Sequence, residues 1–308
     1  MSEQLEHWSH SPAEETYMIA GWRQWADAGE VSSGLPEYLI KLTQAKKIGE
    51  MAAEHSYLFQ VPGTHHLLRP EISLAGGYRQ SLKPPKNEFY HAGDGGRGLL
   101  LFLGEEPHLN VEQYAENFLD AVEILNVRRA VLVAGVYGPV PYDQDREISC
   151  VYSLPGMRDD LAEYAVTFSN YEGGVSISTY LVQAAEARDL ELFGLYAFVP
   201  AYDFTPLSTD VQGLRIEKDF QAWYDLMRRL NHMFHMRIDL SELRRQSELT
   251  TIAMKAKIDE MEQQMPDADV GEYMAAVTEQ FLAHPFVPFD DIWETELGNI
   301  FDDLGDQT

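Results

Sequence analysis

Over the first two hundred residues the apolar positions switch repeatedly between short continuous runs and a three-to-four-residue spacing, the pattern of strands alternating with helices. Tyr17 to Ala20 is such a run, and beyond an acidic loop Val31, Leu35, Tyr38, Leu39 and Leu42 recur at helical spacing. Ala130 to Val136 is almost uninterrupted, which predicts a central strand covered on both faces. Leu192 to Val199 is the last strong strand. Between these runs, Tyr114, Phe118, Ala121, Val122 and Leu125 share one face of a helix over Val111 to Leu125, with Asn110 as its N-cap. A further helix, Ser176 to Arg188, follows Gly173-Gly174. Lys47 to Met51 and Tyr57 to Val61 read as short strands, Gly63 to Lys86 as a connector, and Tyr137 to Ser149 as irregular. Glu88 to His91 and Leu99 to Leu103 flank Gly93-Asp94-Gly95-Gly96, which reads as a hairpin turn. The alternation predicts a largely parallel sheet with helices on its faces.

From Lys218 the spacing turns wholly helical. Phe220, Trp223, Tyr224, Met227 and Leu230 form one face, and Asp239 caps a longer helix running to Met265, where Pro266 ends it. A third helix spans Val270 to Ala283. Four regions result: a polar arm over 1–16, an α/β core over 17–214, a helical extension over 215–284 and an acidic, aromatic tail over 285–308. Phe286, Phe289, Trp293, Phe301 and their aliphatic neighbours make that tail a docking segment, with the basic stretch 215–257 as its target.

Charge narrows the function classes. The chain carries 23 Lys and Arg against 50 Asp and Glu, a formal net charge of −27. Nucleic-acid affinity comes mostly from cations that neutralise phosphates, so neither a nucleic acid nor an anionic membrane surface is an expected partner. Cys150 is the single cysteine, which excludes an intrachain disulfide and points to a reducing, cytoplasmic setting. No signal peptide and no membrane span is expected, since the first residues are polar and acidic and no apolar run is long enough. A Gly-x-Gly-x-x-Gly fingerprint is missing after every strand, so no dinucleotide cofactor is expected.

Five local sequences occur in a telling order: Gly21-Trp22 with Asp27-Ala28-Gly29, Asn87-Glu88-Phe89-Tyr90, Gly104-Glu105-Glu106-Pro107-His108-Leu109, Tyr171-Glu172-Gly173, and Val199-Pro200-Ala201-Tyr202. Together, across about residues 17–265, they resemble the prokaryotic members of the proteasome assembly chaperone family. The resemblance implies a three-layer α/β/α sandwich like that of the phosphorylases and related hydrolases, with a C-terminal helical extension. It implies a small oligomeric scaffold rather than a catalyst. Three departures stand out: Arg23-Gln24-Trp25 lengthens the first loop, Tyr142-Asp143 stands where relatives often show His-Thr, and Gly305 to Thr308 does not form a hydrophobic docking motif.

Trp22, Asp27, Glu88, Glu105, His108 and Glu172 fall near strand ends or helix starts and are the candidate pocket residues. Carboxylates sharing a dry cleft would have separated pKa values and supply a general acid and a general base, with His108 as proton shuttle. The competing reading is structural: Asp27 and Glu30 complement a helix start, Glu88 and Glu172 tie loops, and Trp22 and Trp25 pack. An anion cradle at Gly173 to Ser176 would draw on Arg79, Arg97 or Arg146. His65-His66 and the pair His232 and His235 lack the company a metal site needs, so no metal is expected. Two functions remain open: a homo-oligomeric scaffold or assembly factor with a protein partner, and a nucleoside-like small-molecule binder or hydrolase working in an acidic cleft.

Overall fold

The computed structural model describes residues 5–6, 15–53, 55–59, 70–93, 97–204, 213–264 and 269–286. The first half of the chain forms β1 (Leu5–Glu6), β2 (Glu15–Arg23), α1 (Val31–Leu42), β3 (Lys46–Met51), β4 (Glu71–Ala75), β5 (Tyr78–Lys83), β6 (Glu88–Gly93), β7 (Arg97–Glu105) and α2 (Val111–Ile124). The second half adds β8 (Val127–Gly138), β9 (Ile148–Tyr152), α3 (Arg158–Ala162), β10 (Thr167–Phe168), α4 (Ile177–Glu186), β11 (Leu192–Tyr202), β12 (Leu214–Arg215), α5 (Phe220–Met233), α6 (Ser241–Gln264) and α7 (Val270–Gln280).

Nine strands lie in the order β1-β3-β6-β7-β2-β8-β11-β9-β10, with β12 paired to β11. The apolar runs Tyr17 to Ala20 and Ala130 to Val136 lie in neighbouring central strands, parallel to each other and to β7 and β11. Helices cover both sides. Tyr17 and Ile19 of β2 point into one core with Leu35 and Leu39 of α1 and Trp223, Leu226 and Leu230 of α5. Met18, Ala20 and Trp22 point into the other, with Tyr114 and Phe118 of α2 and Leu181 and Ala185 of α4. Alternation along one strand therefore builds two cores and three layers. The expected α/β/α sandwich is borne out, and the helical stretch after 215 supplies α5 to one of its layers.

The sheet is mixed rather than largely parallel. β6 runs antiparallel to both of its neighbours, β3 and β7, and β9 runs back against β11. The Gly93 turn forces the first reversal, since a short connection joins only antiparallel strands. Tyr57 to Phe59 is not a strand, and Val61 lies outside the described residues, as do His65 and His66. The connector over Gly63 to Lys86 contains a hairpin: β4 and β5 pair through Gly76-Gly77, both at positive φ of 57° and 82°. Two glycines at positive φ suit the twist of a two-residue hairpin turn. Asn110 does not cap α2 with its side chain. Its amide reaches across instead to the His55 carbonyl at 2.7 Å. Among the tail residues, Phe286 is described and 4% exposed. Its ring meets Tyr164 and His232, the Arg229 guanidinium lies over it, and Arg228 donates to its carbonyl. Residues 287–308 of the tail lie outside the described residues.

Candidate functional site

The loop leaving β2 sits over the ends of the central strands, and two glycines set how closely. A Cβ on Gly21 would stand 1.7 Å from the Ser32 carbonyl oxygen, and one on Gly135 would stand 2.1 Å from that of Ala28. Backbone therefore lies directly on backbone here, as no residue with a side chain would permit. Ser32 Oγ accepts from the Trp22 N–H at 2.8 Å, pinning the start of α1 to the end of β2.

Asp27 uses both carboxylate oxygens on Ser33, accepting from its N–H at 2.8 Å and its hydroxyl at 2.6 Å. It thereby satisfies a donor in the first turn of α1. Burial pushes its carboxyl up to about 6, against the lowering effect of the Ser33 hydrogen bonds. The loop is roofed by α5, because the Gly29 carbonyl accepts from Asp219 N at 2.9 Å and Trp223 Nε1 at 3.3 Å.

Glu105 faces Arg23 across the β2–β7 register, with Arg23 Nη1 donating at 3.1 Å. Burial raises its carboxyl, and the Arg23 charge opposes that rise. The Leu58 N–H donates to His108 Nδ1 at 3.2 Å, which places the ring proton on Nε2, 2.9 Å from Gln24 Oε1. Burial lowers the His108 pKa, in keeping with a neutral ring. Both ring nitrogens thus tie loops together. The structure brings Asp27, Glu105 and His108 around the lengthened segment Arg23-Gln24-Trp25.

The other three candidates lie elsewhere. Trp22 is packed in the core against Phe102 and Phe118, and its Nε1 donates to the Tyr114 hydroxyl at 2.7 Å. Glu88 accepts from Lys47 at 2.8 Å, Lys86 at 3.2 Å and the Tyr90 hydroxyl at 2.8 Å. Burial works to raise the Glu88 pKa, but these donors hold it below the ordinary value. Glu172 is exposed in the loop before α4. Arg146 is withdrawn from any anion cradle: it is buried and holds Asp219 through Nε at 2.8 Å and Nη2 at 3.2 Å. Cys150 is also buried, and burial pushes its thiol up to about 12, so it stays protonated. Trp25 is exposed. No group of three metal-binding side chains occurs among the described residues.

Two features escaped sequence reasoning. The first is a buried polar chain in which the Tyr114 hydroxyl donates to Asn87 Oδ1 at 2.7 Å, and Asn87 Nδ2 donates to the Tyr57 hydroxyl at 2.8 Å. The second is Glu106. It accepts from the Ile177 N–H, at the start of α4, at 2.9 Å, while its other oxygen is buried without a hydrogen-bond partner among the described residues. Burial pushes its carboxyl up to about 7, opposed by the Ile177 hydrogen bond. The Glu105-Glu106 doublet was the available signal, because a second carboxylate follows directly on the last residue of β7. A separate cavity of about 510 Å³ lies between the loop at Ala52 to Ser56 and α2, lined by His55, Asn110, Glu112, Gln113, Glu116 and Asn117 among others. None of the six candidates lines it.

This architecture is shared by solved structures. The PAC2 family protein from Streptomyces avermitilis superposes with a TM-score of 0.66 at 24% identity, covering 84% of this chain and 99% of its own. The proteasome-assembly chaperone homologue of Mycobacterium tuberculosis gives 0.68 at 21% identity, covering 83% and 99%. An archaeal proteasome activator from Pyrococcus furiosus gives 0.59 at 15% identity, covering 82% and 97%. These likenesses establish the fold. No curated protein matches the chain significantly. The PAC2 family model matches residues 22–258, from the end of β2 well into α6 and so across the five motif regions apart from Gly21; the chain belongs to the PAC2 family.

Proposed function

We propose that the chain is a homo-oligomeric scaffold or assembly factor acting in the cytoplasm on a protein partner. The observation that carries this reading is how the strand-end residues are employed. Asp27, Glu105 and His108 are bonded to groups of their own chain, and the loop that carries Asp27 is held to α5 through the Gly29 carbonyl. Family membership supports the same reading, as do the names of two structural relatives, a proteasome-assembly chaperone homologue and a proteasome activator. Among the described residues no helix is long and apolar enough to cross a membrane.

Proteasome subunits are the first partners to test. Dissociated α and β subunits from the source organism, mixed with the full chain, should assemble into rings faster or in higher yield, followed by native mass spectrometry. The absence of both a complex and a change in assembly would overturn the reading for this partner. Glu106 is the observation that favours the second reading, a nucleoside-like ligand in an acidic cleft. That ligand would raise the melting temperature by binding the native state, and E106Q would abolish the rise.

A further inference from the structure

Helix α6 turns one face to the core and leaves an apolar strip on the other. Leu243, Met254 and Ile258 point into the core that α6 shares with α5 and α7. Half a turn round, Leu249 is 49% exposed and Ile252 65%, and Ala253 and Ala256 are exposed beside them. These four positions fall at helical spacing, so they form one strip about two turns long. Cations flank it. Lys255 and Lys257 are exposed to either side of Ala256 and make no ion pair among the described residues, whereas Arg244 and Arg245 are paired with Glu248 and Glu242. Single exposed apolar residues are ordinary on a surface, but a contiguous strip between two unpaired lysines marks a contact face.

The chain itself supplies a complement. Phe286 is already seated on the helical layer, buried against Tyr164, His232 and Arg229, with Arg228 donating to its carbonyl. The 22 residues that follow, 287–308, hold seven Asp and Glu and no Lys or Arg. Phe289, Trp293, Leu297, Ile300 and Leu304 recur among them every three or four positions, the same period as the strip on α6. Reach is no obstacle. With 24 residues α6 is about 36 Å long, and 22 residues span about 33 Å as a helix and about 70 Å extended. Because Phe286 fixes where this segment starts, its contact with α6 is intramolecular, at an effective concentration on the order of millimolar.

We propose that residues 287–308 pack along the outer face of α6 of their own subunit, setting their apolar positions on Leu249, Ile252 and Ala256 and their carboxylates beside Lys255 and Lys257. The apolar strip loses its water and the two lysines gain counter-charges, so shape and sign favour the same contact. The seat of Phe286 becomes the first point of a clamp over the helical layer, and the clamp stands whether or not the chain forms oligomers. A partner that reads this face of α6 must displace the tail.

Carbodiimide cross-linking of the full chain, read by mass spectrometry, tests the contact. Lys255 or Lys257 should join a carboxylate within residues 290–306. When isotope-labelled and unlabelled chains are refolded together, the two halves of each such cross-link should carry the same label. L249S/I252S should keep the native circular dichroism spectrum, because both positions are exposed, yet chymotrypsin should cut after Phe289 and Trp293 about tenfold faster than in the native chain. K255E/K257E should speed the same cuts at low salt. I124E, at the exposed end of α2, is the control and should keep the native rate. Cross-links of mixed label would put the tail on a second copy and overturn the proposal. So would the lack of any cross-link to either lysine, or a native cleavage rate in L249S/I252S.

Discussion

Glu106 illustrates how one side chain's role depends on its dry surroundings. Its folded-state pKa of about 7 lies above the ordinary 4.5. A carboxyl raised in this way binds more protons folded than unfolded between those two values. Its contribution to stability is therefore present below the ordinary value, is lost as pH rises through about 7, and is level above that. E106Q keeps an acceptor for the Ile177 N–H and removes the buried charge. Its melting temperature should exceed that of the native chain at pH 8 and match it only below the ordinary carboxyl value of 4.5; a native-like fall between those pH values in E106Q would exclude Glu106 as the source. Such a residue was half legible. The doublet with Glu105 is visible in the chain, but its partner Ile177 is 71 positions away, and no local pattern reports that distance.

At the scale of elements, the link between the irregular segment after β8 and helix α5 is a buried ion pair. Arg146 also donates to the carbonyls of Pro141, Gln144 and Tyr142, while Asp219 accepts from the N–H groups of Gln221 and Ala222 at the start of α5. Each charge is thus surrounded by further hydrogen bonds, which such a pair needs to offset desolvation. Removing one partner leaves the other charged and dry, a loss of about 3–5 kcal/mol for R146M in urea titration. The double variant R146M/D219N should recover part of that loss; two losses that simply add would show that the residues act separately. Sequence patterns found the helix and missed the pair, since Asp219 precedes the helical periodicity and Arg146 lies in a stretch with none. The β4–β5 hairpin is different. Its Gly-Gly turn between Leu74 and Leu82 was a readable signal, obscured because the flanking strands are short and a bulge breaks their alternation.

For the whole molecule, net charge is the dominant long-range force. With 50 acidic residues against 23 basic ones, the folded chain repels itself. Added salt screens charges farther apart than about 8–10 Å, so the melting temperature should rise from low to physiological ionic strength. A fall would mean that local networks outweigh the net repulsion, such as Arg188 with Glu116, Asp120 and Glu123. By itself the sequence determined the central strands and the main helices, the apolar face of each, the acidic character and, through five short motifs, the family. Only the tertiary structure decided that β2 sits between β7 and β8, that Asp27 spends both oxygens on Ser33, and that Glu106 rather than Glu88 is the poorly solvated acid. The reason is physical: periodicity reports which side of an element avoids water, whereas pairing order and desolvation depend on neighbours that the chain brings in from far away.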